Sequence, residues 1–350
     1  MSTITKLLVG LRPLALAAGL AVPAMTSATA ADKIVFYTNW FAEAEHGGIW
    51  QAKAAGIFEK YGIDAEVRQG GPQVNTSLIL LGGKADFVML HNSGEMFSAV
   101  KERTPLVAVA SYYQKDPQAI LTHKGQDKDS LGSLKGSPII LSQDALNSWW
   151  PWLKSKYGYT DDQIRPYNFQ MGAFLSNKKS AQQGYITTEP SMVRKEGMDP
   201  NVFLLADYGW NPYSALLVTR QETIDRKPDL VKRMTQATLE GWYSYYQNGA
   251  AGNALIKQTA PNNTDEVITN ALDEMKRNGI VLSGEALTLG IGAMTDARWK
   301  EFFDSAVSAG LYEKDLNYKR AYTPKFVNDQ DFFKSMQVKY PDAVKNASAK

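Results

Sequence analysis

The chain has 350 residues, 44% hydrophobic and 21% charged, with 38 Lys+Arg against 36 Asp+Glu. That length suits one large domain or two lobes of roughly 100–200 residues, with a core that needs no disulfide or metal staple. Cysteine is absent, which excludes thiol catalysis, thiolate metal sites, Fe–S clusters and a disulfide framework. The three histidines, His46, His91 and His123, are too widely spaced for a helical zinc motif, and a formal charge of +2 argues against a nucleic-acid partner.

Residues 1–30 carry Lys6 and Arg12, then an apolar run from Leu14 to Val22, then Ala28-Thr29-Ala30 ahead of Ala31. A positive start, a short apolar core and small residues at the end are the layout of a secretory signal. The run is too short to span a hydrocarbon core, which needs about 20 residues. Cleavage after about Ala30 leaves 36 Lys+Arg against 36 Asp+Glu, so no polyanion is expected to steer the mature chain. Without a cysteine at the cleavage point there is no site for a lipid anchor, and the expected location is a periplasm. No later stretch approaches 18 consecutive apolar residues, so no membrane insertion of the mature chain is expected.

The rest of the chain alternates strands and helices. Lys33–Thr38 reads as a strand, and Trp50, Ala54, Ile57, Phe58 and Tyr61 recur at helical spacing from Gly48 to Tyr61, with Gly62 as the stop. Ile63–Arg68 alternates apolar and charged residues, Gly70-Gly71-Pro72 breaks the chain, and Gln73–Leu81 restarts a helix. Strands at Ala85–Leu90 and Leu106–Ala110 flank a helix around Gly94–Lys101. The rhythm resumes with strands at Gln118–Leu121 and Pro138–Ser142, a helix through Trp150–Tyr157, and strands near Tyr167, Tyr185, Val202–Ala206 and Ala215–Thr219. Beyond them Pro228–Lys257, Thr264–Asn278 and Thr295–Ala309 are helical. Strands separated by single helices predict βαβ units. The expected organisation is a signal at 1–30, the first part of lobe 1 at 31–115, lobe 2 at 116–215, a return to lobe 1 with C-terminal helices at 216–335, and a loose polar tail at 336–350.

Open α/β sheets bind ligands outside the carboxyl ends of their strands, so the loops after strands carry the candidate contacts. Trp40 and Phe41 stand among polar residues and glycines, where an indole can lie on a planar ligand or plug the core. His46 can cap a helix, touch ligand or sit in solvent; a metal role finds only Glu43 and Glu45 nearby in sequence. Gly70–Asn75, with Gln73, is either an anion-ready helix start or a turn with a Gln/Asn cap. Glu189 either accepts from the amino edge of a heterocycle or is a first-turn acid ahead of Pro190; Tyr185 beside it is a ligand contact or a core tyrosine. Asn92, one or two indoles of the Trp149-Trp150-Pro151-Trp152 run (Trp149 foremost), and Tyr208 complete the candidates. Tyr208–Tyr213 and Ser111–Pro117 read as the two inter-lobe crossings, and Trp242, Tyr243, Tyr245 and Tyr246 as helix packing.

Asn39-Trp40-Phe41 with His46-Gly47, the Gly56–Gly62 helix end before Ile63-Asp64, Gly83-Lys84-Ala85-Asp86-Phe87, Leu134-Lys135-Gly136 and Thr188-Glu189-Pro190 together resemble one family of periplasmic substrate-binding proteins of ABC transporters. That family groups alkanesulfonate-binding proteins with relatives of the fungal thiamine-pyrimidine synthases, and the resemblance runs from Lys33 to Val327. Asn39-Trp40 and Thr188-Glu189-Pro190 are similar to the branch that binds thiamine-precursor pyrimidines. The resemblance implies an α/β, two-lobed type II clamshell, each lobe a mainly parallel sheet flanked by helices, which delivers ligand to a permease and its ATPase. It implies that Trp40 stacks on the pyrimidine and Glu189 holds its amino edge, with Asn39, Tyr185 and His46 contributing. No catalytic residue, metal or cofactor is expected, and a monomer is the default. Other branches take alkanesulfonates, nitrate, bicarbonate or flavin-type molecules.

Two rival readings remain. The fungal enzymes carry a cysteine-rich segment, absent here, and a lysine followed four residues on by a histidine; anchored on Gly83–Asp86, those positions fall on Leu90 and Gly94. An adaptor that presents ligand to a sensor uses the same clamshell and is not separable from transport by sequence.

Overall fold

The computed structural model describes Ser2 and residues 30–71, 74–168 and 170–345. The signal reading of residues 1–30 lies almost wholly outside the described residues, as do Gln73 and residues 346–350. Residues 31–350 form one compact unit.

In chain order the strands are β1 (Asp32–Tyr37), β2 (Ile63–Arg68), β3 (Phe87–Asn92), β4 (Leu106–Tyr113), β5 (Gln118–His123), β6 (Ile139–Leu141), β7 (Ile164–Pro166), β8 (Ala181–Tyr185), β9 (Pro200–Leu204) and β10 (Ser214–Arg220). They make two five-stranded sheets, ordered β2-β1-β3-β10-β4 and β7-β6-β8-β5-β9. In each sheet four strands are mutually parallel and one, β10 or β5, runs antiparallel between two of them. That odd strand is the one entered from the other sheet: β5 follows β4, and β10 follows β9. The expected two-lobed α/β fold is the observed one.

The local patterns explain the layers. In β2 the residues Ile63 and Ala65 are buried while Asp64 and Glu66 are exposed, so one face is packed and the other wet. β4 stands at a sheet edge yet is buried at every position. The segment around residues 318–326 covers it, with Tyr322 bridging Ala108 and the Thr323 N–H donating to the Ala108 carbonyl at 2.9 Å, which protects an edge that would otherwise pair with another chain.

The helices of the first lobe before the crossing are α1 (Gly47–Ala54), α2 (Ile57–Lys60), α3 (Thr76–Leu81) and α4 (Ser93–Lys101). The single helix expected over 48–61 is split at Gly56, which adopts φ +68°, a conformation open to glycine at little cost. Around the second sheet lie α5 (Gln143–Asn147), α6 (Trp150–Tyr157), α7 (Gly172–Ser176) and α8 (Glu189–Lys195). After β10 come α9 (Gln221–Arg226), α10 (Pro228–Gln247), α11 (Ala250–Thr259), α12 (Asp265–Arg277), α13 (Ala286–Leu289), α14 (Asp296–Ser308), α15 (Gln330–Lys339) and α16 (Pro341–Lys345). The loose tail expected from 336 is instead helical through Lys345, because Met336 and Ala343 are buried and Lys339 and Tyr340 reach Glu240 of α10. The helical spacing of Phe333, Met336, Tyr340 and Ala343 is the signal that the polar composition masks.

The two crossings, 114–117 and 205–213, are tied together. Lys115 pairs with Asp207 at 2.8 Å. Arg298 of α14 donates to Gln114 Oε1 at 3.0 Å and Asn211 Oδ1 at 3.1 Å, and its guanidinium lies 4.2 Å from the Tyr213 ring centre. At the adjacent sheet rims Asn92 pairs with Ser214 and Ser214 with Tyr113, while in the second sheet Tyr185 pairs with Gln118.

Candidate functional site

A cavity of about 770 Å3 opens between those rims, lined from the first sheet's side by Asn39, Trp40, Glu43, Glu45, His46 and Asn92, and from the second sheet's side by Gln118, Tyr185, Thr188 and Glu189. Among the described residues that line it there are four glutamates, with Glu95 the fourth, and no lysine or arginine.

Trp40 is placed by backbone, not by chance packing. The Thr38 hydroxyl donates to the Trp40 carbonyl at 2.7 Å, the Gly70 N–H donates to the same carbonyl at 3.0 Å, and the Ala42 N–H donates to Gln69 Oε1 at 3.0 Å. Gly70 is required there: a Cβ would fall 2.4 Å from the Thr38 carbonyl oxygen. The loop after β1 is thereby clamped to the loop after β2, and the indole meets Phe41 edge-on with ring centres 5.6 Å apart. Phe41 is 44% exposed, so it does not plug the core.

Asn39 sits between two imidazoles. His46 Nε2 donates to Asn39 Oδ1 at 2.9 Å, and Asn39 Nδ2 donates to His91 Nδ1 at 2.8 Å. With the amide so oriented, the His46 ring carries its proton on Nε2. His46 is 3% exposed; burial, and then the charge of His91, bring its pKa down to about 3, so the ring is neutral. Asn92 caps α4, accepting from the Gly94 N–H at 2.9 Å. Asn75 caps α3 through the Leu78 N–H at 2.9 Å, as an asparagine at a helix start does.

From the other lobe, Glu189 opens α8 with Pro190 in its first turn. Its carboxylate accepts from the Tyr167 hydroxyl at 2.9 Å and the Tyr185 N–H at 2.7 Å. Gly184 leaves room for it, since a Cβ there would stand 2.8 Å from the Glu189 Cβ. Burial raises the Glu189 pKa against those two hydrogen bonds. Glu45, 6% exposed, accepts from the Thr188 hydroxyl at 3.3 Å, a contact that links the two lobes; burial raises its pKa too. Glu43 is raised further, by burial first and then by the charges of Glu45 and Glu189. Below them Asp116, in the first crossing, is 1% exposed and accepts from the Gln118 N–H at 3.0 Å; burial pushes it up to about 6.

Six of the nine sequence candidates, Asn39, Trp40, His46, Asn92, Tyr185 and Glu189, line this one cavity. Gln73 lies outside the described residues. Trp149 and Tyr208 are corrected: neither is among the lining residues. Trp149 immediately precedes α6 and is 1% exposed, and Trp150 and Trp152 are buried as well, so the indole run packs the second lobe while Asn147 and Ser148 reach the cavity. Tyr208 packs edge-on against Phe203 at 6.0 Å. Glu43, Glu45, His91, Tyr113 and Gln118 line the cavity without having been singled out as ligand contacts. Placement after strands marks the first four; Gln118 opens a strand and carried no such signal. Among the described residues no group of His, Asp or Glu is arranged to hold a metal ion, and no helix is long and apolar enough to cross a membrane.

The NMT1/THI5-like family profile matches residues 43–250. The chain is 23% identical over 239 residues to the riboflavin-binding protein RibY of Chloroflexus aurantiacus, covering 65% of this chain and 67% of that one. It is 22% identical over 227 residues to a formylaminopyrimidine-binding protein of Halalkalibacterium halodurans, covering 63% and 68%. Its fold is similar to that of the periplasmic aliphatic sulphonate-binding protein SsuA of Escherichia coli, with a TM-score of 0.63 at 14% identity over 84% of this chain and 92% of that one.

Proposed function

This chain belongs to the NMT1/THI5-like family, and from that premise we propose that it is the periplasmic solute-binding component of an ABC importer. It captures a small planar heterocycle, a thiamine-precursor pyrimidine, and hands it to a membrane permease and its ATPase. The observation that carries this reading is a cavity with the clamped indole of Trp40 on one lobe and the carboxylate of Glu189 on the other. The ring stacks on Trp40, and its amino edge donates to the remaining lone pairs of Glu189. Because a ligand shifts the lobes only by its differential affinity for their arrangements, contacts from both sides couple binding to closure. The similarity to a formylaminopyrimidine-binding protein supports the pyrimidine. Four glutamates and no lysine or arginine among the described lining residues weigh against a sulfonate or an inorganic anion.

One observation favours a second ligand. A cavity of about 770 Å3 exceeds what a single ring fills and lies in the range of pockets for larger ligands. A flavin-type fused heterocycle, in keeping with the similarity to RibY, fits that size. The test is native mass spectrometry of residues 31–350, followed by thermal-shift screening of pyrimidines, flavins, sulfonates and inorganic anions. A true ligand at about a hundredfold excess over Kd stabilises by about 2.7 kcal/mol. A pyrimidine hit supports the reading; a flavin hit selects the second ligand; a sulfonate or anion hit overturns both.

A further inference from the structure

Every donor that reaches the cleft carboxylates is neutral. Glu189 is held by the Tyr167 hydroxyl and the Tyr185 N–H, and Glu45 by the hydroxyls of Thr187 and Thr188. The Glu43 carboxylate accepts no hydrogen bond from any described residue, and among the described residues Glu43, Glu45 and Glu189 enter no ion pair. The cavity's two histidines do not pair with them: His46 is neutral, its Nδ1 buried without a partner among the described residues, and the His91 ring meets Asn39. Three carboxylates, Glu45 buried and Glu43 and Glu189 partly buried, face a cavity with no lysine or arginine among its described lining residues, and their charge is left for something else to meet.

The surroundings narrow what that is. Trp40, Tyr113 and Tyr185 line the same cavity as Glu43 and Glu45. The Tyr113 hydroxyl donates to the Glu45 carbonyl, and Tyr185 feels the charges of Asp116, Glu43, Glu45 and Glu189. A cavity lined by both aromatic rings and carboxylates suits an ammonium group, which is attracted to ring faces as well as to the opposite charge. A bare metal ion is a poor occupant, since among the described residues the carboxylates are not gathered into a metal-binding group.

We propose that Glu43 and Glu45 form a cation subsite of the cleft, which takes a protonated primary amine on the side arm of the bound heterocycle. The inference rests on the heterocycle reading given above. In it, Glu189 and Trp40 hold the ring, and Glu43 and Glu45 hold the charged arm from the first lobe.

The experiment uses three aminopyrimidines that share a ring and differ only in the arm: aminomethyl, hydroxymethyl and formamidomethyl. Calorimetric titration at pH 7 is expected to show the aminomethyl compound binding about tenfold or more tightly than the two neutral ones. Glu43→Gln should bring that ratio close to one, and Glu43→Asp, which keeps the charge, should restore most of it. Measurable binding of the hydroxymethyl compound shows that each variant is folded. Equal affinities for all three arms in the wild-type protein overturn the cation subsite and leave the heterocycle reading standing. A preference that survives Glu43→Gln overturns the subsite in the same way. If none of the three binds, the pyrimidine reading falls and takes the subsite with it.

Discussion

Glu240 and the three glutamates of the cleft are built in opposite ways. Glu240 of α10 has a fully buried side chain and is surrounded by donors: Lys60 at 2.6 Å, Tyr61 at 2.7 Å, Lys339 at 2.5 Å and Tyr340 at 3.0 Å. Burial opposes its ionisation, but hydrogen bonds from Lys339, Lys60, Tyr61 and Tyr340 outweigh burial and bring the carboxyl down to about 2. In the cleft Glu45 is buried and Glu43 and Glu189 are partly buried, and there desolvation dominates and all three are raised. The same side chain is thus used once as an internally neutralised tie between α2, α10 and the C-terminal helices, and three times with its charge left open. A protein that neutralises one buried acid so completely has the means to neutralise the others, and the difference marks the cleft as the place where an outside group supplies the balance.

The largest effect is expected where the balance is internal. Glu240→Leu removes the acceptor of four donors, and breaking such a pair costs about 3–5 kcal/mol. Urea unfolding should show it as a lowered midpoint, with ligand affinity of the folded fraction unaltered; a loss under about 1 kcal/mol would mean the tie is merely a surface ion pair. Next comes Trp40→Ala, which leaves stability nearly unchanged but weakens ligand binding by about 2–4 kcal/mol, as for an aromatic hot spot. Wild-type affinity in both Trp40→Ala and Glu189→Gln would remove this pocket from consideration.

The cleft's geometry was legible where backbone rules act. Trp40, Asn39 and Glu189 follow strands, and the rule that ligands gather at strand carboxyl ends brings them together without any knowledge of packing. Trp149 shows where that reasoning stops. It lies in the stretch after β6, but α5 intervenes, and it sits just before α6 with its ring turned into the core; the direction of a ring at a helix start is set by helix phase, not by composition. Glu43 and Glu45 show the opposite failure. As sequence they are ordinary loop acids; only the approach of Thr188 from the other lobe at 3.3 Å and their nearness to Glu189 make them unusual. The same holds for Asp116, buried at the first crossing near Asn92 and Ser214 of the first sheet.

Asp116 sets the third effect in size. Its folded pKa of about 6 lies above the ordinary aspartate value, through burial, opposed by the Gln118 N–H, Ser214, His91 and Asn92. A group raised on folding binds its proton more tightly in the native state, so its contribution to stability is complete below the unfolded pKa and is lost as pH rises through about 6. The ligand-free protein should therefore gain about 2 kcal/mol on going from pH 7 to pH 4.5 from this group, with the raised Glu43, Glu45 and Glu189 acting in the same direction. Glu240, with its pKa near 2, works in reverse and loses its stabilisation only as pH falls below about 4.5. Thermal unfolding against pH should rise and then fall on acidification, and Asp116→Asn should reduce the rise without moving the fall.

The smallest effect bears most directly on the contrast. If the charge of Glu43 is uncompensated in the free protein, Glu43→Gln removes its repulsion with Glu45 and Glu189 and should stabilise the ligand-free molecule by about 0.5–1 kcal/mol. The isosteric change keeps the shape of the cavity, so the gain isolates charge from packing. It has the opposite sign to the effect at Glu240, although both substitutions delete one acid. Differential scanning calorimetry without ligand decides it: a higher Tm for Glu43→Gln places the missing counter-charge outside the chain. A lower Tm means that Glu43 already has a partner within the free protein, and the two groups of acids are then built alike.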